Sequence, residues 1–339
     1  MWGESEPWVR WAALTKSTRD EKLRPHLSVR NTSSYIDVQT VHAWIRECQE
    51  NHADSCTGPA HDDVNDLTVI DCETRQLQKL PESAHYIALS YCWGSSEAHV
   101  ECGIVPANAP PLIEDCILFL RLLGFRYLWI DRYCIPQDDS WERHRQILQM
   151  GKIYSQSLFT IVAAAGRDPG YGLPGVGPPR APSGSFSIGD LTLFPWNNLR
   201  SYQILEDLRD SKWSARGWTY QEALLSRRRL VFTDHGLYFE CKGLCTFEDH
   251  PIDPPYNFPP KEHEIFFCGG RLPPRSVFPR SKLRSETYAK RCIREYVSRQ
   301  FSREGDILDA LQGILETFRD LPTPMRHLCG IPVICPNVT

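Results

Sequence analysis

Short apolar runs alternate with amphipathic stretches from residue 67 to residue 165, and this alternation restricts the chain to very few architectures. LTVID (67–71) and YIALSYCW (86–93) have strand length and are bounded by polar residues and Pro. PPLIEDCILFLRLLG puts Ile113, Cys116, Ile117, Leu120 and Leu123 on one helical stripe that stops at Gly124. RYLWID (126–131) predicts a strand ending in Asp131. Asp139 followed by Glu142 predicts a capping box for a helix that turns Ile147, Met150 and Tyr154 inward. LFTIVAAA (158–165) reads as a further buried strand. Strand and helix in turn predict an α/β fold with a parallel sheet covered on both faces, whose ligands bind beyond the carboxyl ends of the strands. That rule places Ser90 to Gly94, Asp131 to Gln137 and the loop after Ala165 on one rim.

Outside this core the patterning changes. Residues 1–40 are polar and mixed and predict a flexible leader; 41–82 predict an N-terminal helix and strand extension, with Trp44, Ile45 and Cys48 on one helix face. The core is expected over 83–250. It is interrupted at 166–210 by a Gly/Pro-rich insertion that opens on GRDPGYGLPGVGPPRAPSGS and is expected to be a mobile flap. Ser214 is a candidate N-cap for the next helix, and RLVFTDHGLYFEC predicts a hairpin turning near Asp234 to Gly236. Residues 251–339 predict a Pro-rich wrap followed by a helical extension in which Ile307, Ala310, Leu311, Ile314 and Phe318 share a face.

The segment SARGWTYQEALLSRR carries the most informative carboxylate. Trp218, Gln221, Glu222 and Leu225 fall at i, i+3, i+4 and i+7 of a helix, so Glu222 shares a face with residues that favour burial. Two readings account for such an acid. One is a buried ion pair with Arg216, Arg227, Arg228 or Arg229; the other is an active-site carboxylate with a tuned environment.

Composition excludes several classes of function. The 339 residues are 41% hydrophobic and 24% charged, as in a soluble globular protein. The formal net charge of −4 and the brevity of the run Arg227, Arg228, Arg229 argue against nucleic acid as a partner. No run approaches the ~20 apolar residues of a membrane span, and MWGESEPWVRWAAL lacks a secretory pattern, so a cytoplasmic location is expected. Thirteen cysteines, an odd number in apolar contexts, predict reduced core thiols without a disulfide framework. Cys48, His52 and Cys56 stand at i, i+4 and i+8, one drifting helix face. Three ligands do not close a structural zinc site and no fourth follows at zinc-finger spacing, so packing is expected there and no metal. A zinc-bound regulatory domain through these residues is the minor alternative. A nucleophile at Cys134 with His144 or His235 as base has no support in spacing, and a buried thiol is expected.

Three blocks, YIALSYCWG (86–94), RYLWIDRYCIPQDDSWERHRQILQMGKIYSQS (126–157) and ARGWTYQEALLSRRRLVF (215–232), together resemble the fungal heterokaryon-incompatibility (HET) domain. WIRECQENHADSC, GRDPGYGLPGV and SREGDILDALQGIL agree with it, so the resemblance spans roughly residues 41 to 330. The family usually runs further beyond HLCGIP, and a shortened C-terminal part is expected. The resemblance implies a role in non-self recognition and programmed cell death, self-association on activation, and a NOD-like receptor or other incompatibility partner. The HET domain is in turn distantly similar to Toll/interleukin-1 receptor (TIR) domains, which implies a TIR-like, flavodoxin-like sheet. In enzymatic TIR domains a glutamate shortly after a Trp is needed to cleave NAD, and the matching residue here is Glu222.

On that reading Glu222 is the catalytic carboxylate, and Ser90, Trp93, Gly94, Asp131, Cys134, Gln137, Arg216, Trp218 and Gln221 are candidate substrate-binding residues. Asp131 orients a ribose or caps the turn RYCIPQ; Trp93 and Trp218 stack on a ring or belong to the core; Gly94 permits close approach of backbone to ligand. GxGxxG, P-loop and GxSxG motifs are absent, which disfavours a dehydrogenase, an NTPase and an ordinary α/β hydrolase. No cofactor is expected, and NAD would be consumed as substrate. The alternative is a non-catalytic death-signalling module that works by self-assembly, with Glu222 only structural.

Overall fold

The computed structural model describes residues 11–15, 34–56, 64, 66–94, 103–138, 141–180, 186–188, 191–195, 200–248, 286–320, 324–328 and 330–334. The N-terminal elements are β1 (Trp11–Thr15), α1 (Val38–Asn51), α2 (Ala53–Cys56), β2 (Thr68–Asp71) and β3 (Leu77–Lys79). Then come β4 (Tyr86–Ser90), α3 (Pro111–Leu122), β5 (Tyr127–Trp129), α4 (Asp131–Cys134), α5 (Trp141–Gln156) and β6 (Thr160–Ala163). They are followed by β7 (Phe186–Ile188), β8 (Leu191–Pro195), α6 (Arg200–Asp210), α7 (Lys212–Ala215), α8 (Gly217–Leu225), β9 (Arg228–Phe232), β10 (Leu237–Cys241) and β11 (Cys245–Phe247). Last are α9 (Glu286–Val297), α10 (Asp306–Thr317), β12 (Met325–Leu328) and β13 (Ile331–Ile334).

The main sheet has eight strands in the order β11-β10-β9-β6-β4-β5-β2-β3. β5, β4, β6 and β9 run parallel. Numbered by their own sequence, these parallel strands stand in the order 2-1-3-4, the doubly wound arrangement of flavodoxin-like sheets. The expected all-parallel sheet holds only for this centre. β2 and β3 pair antiparallel with each other and β2 with β5, and the β9–β10–β11 meander closes the opposite edge antiparallel. The reason is connection length: a tight turn cannot make the crossover that parallel pairing needs, and β2–β3 and β9–β10 are joined by tight turns.

Alternation along the strands divides the interior into two cores. Ile161, Leu230, Phe232 and Phe239 face one side, with α1 and α3. Phe119 of α3 meets Phe232 edge-on at 5.3 Å, and Trp44 of α1 stacks on Phe239 at 5.9 Å. Val162, Val231 and Tyr238 face the other side, with α6, α8, α9 and α10. The stripe Ile113, Cys116, Ile117, Leu120 and Leu123 is buried along α3 as its period requires. Gly124, at φ +72°, ends that helix in the left-handed conformation glycine tolerates best.

Several local expectations change. β4 ends at Ser90 and β5 at Trp129, so Asp131 begins α4 instead of ending a strand. Ser211, not Ser214, caps a helix, accepting from Ser214 N at the start of α7; α8 follows directly from Arg216 with no side-chain cap. Residues 11–15, within the expected leader, pair with β8, and β7 and β8 form a hairpin inside the Gly/Pro-rich insertion. FSIGDLTLFP sets Gly-Asp between two apolar runs in sequence, and RSYQILEDLRD places Ile204 and Leu208 at i, i+4; both of these are buried. The first part of the insertion is tied to the core: Leu173 N donates to Asp115 Oδ2 at 2.7 Å, Ile36 N to Gly175 O at 2.9 Å, and Arg180 pairs with buried Glu248. Asp139 of the expected capping box and the Pro-rich stretch 251–280 lie outside the described residues.

Candidate functional site

In a 2-1-3-4 sheet the first and third parallel strands diverge in connection, leaving a crevice beyond their carboxyl ends. Here those strands are β4 and β6, paired at Ser90 and Val162. Ser90 occupies a side of the sheet where its neighbour Val162 is apolar, and it is fully buried. A hydroxyl there requires partners. Trp213 of α7 donates its Nε1 proton to Ser90 Oγ at 2.7 Å, and Ser90 Oγ donates in turn to Glu222 Oε2. The Tyr154 hydroxyl of α5 donates to Leu89 O at 3.0 Å and lies against the Glu222 carboxyl.

Glu222 is 3% exposed, and its carboxyl is pushed up to about 8. Burial is the main cause, reinforced by the negative charge of Asp131 and opposed by the Ser90 hydrogen bond, the charge of Arg216 and Tyr154. At neutral pH the acid is therefore largely protonated. None of the four nearby arginines forms an ion pair with it among the described residues. Arg216 Nη1 donates to Tyr91 O at 3.2 Å, Arg228 to Leu158 O and the Cys48 sulfur, and Arg229 to Ala223 O and Ser226 O. The ion-pair account of this acid is thus replaced by a relay of neutral hydrogen bonds.

Asp131 stands on the same rim. Its Oδ1 accepts from Arg132 N at 2.7 Å and its Oδ2 from Trp93 Nε1 at 2.8 Å. Burial raises this carboxyl to about 6 against those hydrogen bonds and the charges of Arg216 and Arg132. Trp93 is half-buried, with the Arg132 guanidinium 5.3 Å from its ring centre. The arrangement is two buried, mutually repelling carboxyl groups with Arg216 near both and Arg132 near Asp131, a combination in which an entering cation would draw off a proton.

Residues 86–222 match the family model described as "Heterokaryon incompatibility protein (HET)". Residues 86–222 are thus similar to the HET domain. That match begins at the first residue of β4 and ends at Glu222 itself. The chain is also similar to "Heterokaryon incompatibility protein 6, OR allele" of Neurospora crassa, 34% identical over 93 residues, which cover 23% of this chain and 14% of that protein. The shared part is thus a small fraction of that relative's length. No solved structure matches the chain.

The residues singled out by sequence do not all converge. Ser90, Trp93, Asp131, Arg216 and Glu222 come together beyond the carboxyl ends of β4 and β5. Gln221 turns away and accepts from Gly313 N at 2.7 Å, and Trp218 Nε1 donates to Asp306 Oδ2 at 3.1 Å, both toward α10. Gln137 is exposed and donates to Ile135 O at 2.8 Å, closing the turn after α4. Gly94, at φ +67°, is exposed, and a Cβ there would stand 2.8 Å from Asp168 Cβ, so the close approach is to the chain itself. Cys134 is buried, its sulfur accepting from Ile130 N at 3.4 Å, and burial pushes its thiol up to about 12, a state without nucleophilic character. His235 pairs with Asp207 at 2.7 Å, and His144 is exposed on α5.

Trp213 and Tyr154 complete the site and were not marked as site residues by sequence pattern. Tyr154 was legible only as an inward residue of its helix. Trp213 lies in a four-residue helix that no periodicity marks. A second cluster gathers elsewhere: Cys48, His52 and Cys241 bring ligand atoms within 4.8 Å of one another. Among the described residues no helix is long and apolar enough to cross a membrane.

Proposed function

We propose that this HET-domain chain acts in fungal non-self recognition and cell death, and that it does so as a TIR-like NAD glycohydrolase. The observation that carries the reading is the position of Glu222: a buried carboxyl held by Ser90 at the crevice between β4 and β6, where doubly wound sheets bind ligands. Cleavage of the nicotinamide–ribose bond expels neutral nicotinamide and leaves an oxocarbenium-like ribosyl centre, which water then attacks with loss of one proton to solvent. An ionised Glu222 against that centre stabilises the developing positive charge, and no proton donor is needed for the leaving group. Arg216 supplies a positive charge on the same rim for the pyrophosphate.

The resting acid is protonated because it is dry and faces Asp131. Cationic substrate reverses that preference, so the isolated chain is expected to be nearly inactive until assembly opens the crevice. The test compares NAD consumption and nicotinamide release by monomer and by chains forced into oligomers. Turnover by oligomers that falls about 10²-fold or more in Glu222→Gln supports the reading; equal turnover by the variant sinks it.

The near-complete burial of Glu222 favours one alternative, a non-catalytic module that signals by self-assembly. Oligomers that trigger cell death without consuming NAD, with Glu222→Gln equally effective, would establish that alternative.

A further inference from the structure

The C-terminal turn of α1 brings Cys48 and His52 onto one face, and α2 carries Cys56 one turn further. β10 ends at Cys241, 189 residues beyond His52, with its sulfur 3.5 Å from His52 Nδ1. Cys48 Sγ lies within 4.8 Å of both, and the buried Cys56 thiol interacts with those of Cys48 and Cys241 from just outside that set of three. A tetrahedral zinc ion with sulfur at about 2.3 Å and nitrogen at about 2.0 Å sets its S···N pairs about 3.5 Å apart and its S···S pairs about 3.8 Å apart. We propose that Cys48, His52, Cys56 and Cys241 form a structural zinc site of the Cys₃His type, which fastens α1 and α2 to the antiparallel edge of the sheet.

The surroundings are arranged for sulfur that carries negative charge. Cys241 Sγ accepts from Gly243 N at 3.4 Å and Leu244 N at 3.1 Å, and the Lys242 backbone bonds Cys56. Cys48 Sγ accepts from Arg228 Nε at 3.0 Å. A packed thiol needs no such set of donors, whereas metal thiolates are held by them. Arg228 adds an independent indication. Its guanidinium is always charged and is buried, yet it forms no ion pair with a carboxylate among the described residues; its contacts are Leu158 O and the Cys48 sulfur. Three thiolates and Zn²⁺ carry one net negative charge, which Arg228 neutralises.

Gly243 fixes the remaining ligand. A Cβ at this position would stand 2.3 Å from His52 Cδ2, so the turn after β10 lays its backbone directly on the imidazole. Zinc binding displaces the three thiol protons to solvent and leaves no open coordination position, which makes the site structural and not catalytic.

Elemental analysis of the full chain should find one zinc per molecule, and cobalt exchange should give the visible spectrum of a tetrahedral thiolate site. Cys241→Ser should lose the metal. His52→Cys should keep it with a shifted cobalt spectrum, and Cys116→Ser, a buried thiol of α3, should keep it unchanged. Should Cys241→Ser not fold, alkylation of the wild type decides: zinc must shield three thiols that become reactive after chelation. Metal-free wild-type protein, a disulfide within the cluster, zinc retained by Cys241→Ser, or the same alkylation before and after chelation would overturn the proposal.

Discussion

The crevice around Glu222 and the cluster around Cys48 are both buried groups of ionisable side chains, yet their surroundings are built for opposite charge states. Glu222 meets the hydroxyls of Ser90 and Tyr154, faces a second carboxyl and forms no ion pair among the described residues, so it rests neutral. Cys241 receives backbone N–H groups and Cys48 a buried guanidinium, donors that suit sulfur carrying negative charge beside a bound cation. Burial alone does not decide what a polar cluster does; the sign of its neighbours does. On our reading both sites await a cation, transiently at the crevice and permanently at the cluster.

The largest effect expected from breaking this comparison is metal removal. Chelation should lower the melting temperature by about 10 °C or more, since it returns three thiols and a buried Arg228 to an uncompensated state. Glu222→Gln should leave the zinc content unchanged, which separates the two sites. The second effect concerns pH. An unfolded Glu222 loses its proton near 4.5 and the folded one only near 8, so over that interval the native state binds more protons than the unfolded. Its contribution to stability is complete below about 4.5 and declines as pH rises to about 8, by on the order of a few kcal/mol. Asp131, raised from 3.8 to about 6, has the same sign at lower pH. Glu222→Gln mimics the neutral acid, so denaturant titrations should show the variant gaining on wild type as pH rises from 5 to 8. A constant difference across that range would show that Glu222 is ionised in the resting fold.

What local patterning can express was readable. The short apolar runs of β4, β5 and β6 and the 3.6-residue stripe of α3 predict the central sheet, and the helical spacing of Trp218 and Glu222 predicts a carboxyl turned inward. What depends on pairing across the chain was not. Cys241 meets His52 across 189 residues, and Trp213 meets Ser90 across 123, separations at which no spacing rule operates. The rim positions were inferred from the carboxyl ends of strands, which collects Ser90 and Asp131 but cannot tell which side chains turn back into turns, as Gln137 and Cys134 do. Gly/Pro density in residues 166–185 masked the hairpin and helix signals immediately after it.

Smaller effects sharpen the crevice itself. Ser90→Ala removes the donor to Glu222 and the acceptor of Trp213 Nε1 at once, leaving two buried polar groups short of a partner. The cost should be about 1–3 kcal/mol in a denaturant midpoint, and the Glu222 carboxyl should rise further because a hydrogen bond that favours its ionised form is gone.

Trp213→Phe tests the relay with the least disturbance. Phenylalanine keeps part of the buried aromatic surface and removes the Nε1 donor, so the loss is one neutral hydrogen bond plus a small void, about 1–2 kcal/mol. In the wild type that donor occupies a lone pair of Ser90 and leaves its proton aimed at Glu222. Without it the hydroxyl is free to rotate, its bond to the carboxyl weakens, and the pH at which stability declines should move upward. A double-mutant cycle with Glu222→Gln isolates this coupling, because the carboxamide cannot lose a proton. Additive effects with an unmoved pH midpoint would mean that Trp213 only packs, and the Trp213–Ser90–Glu222 relay would then be no more than proximity.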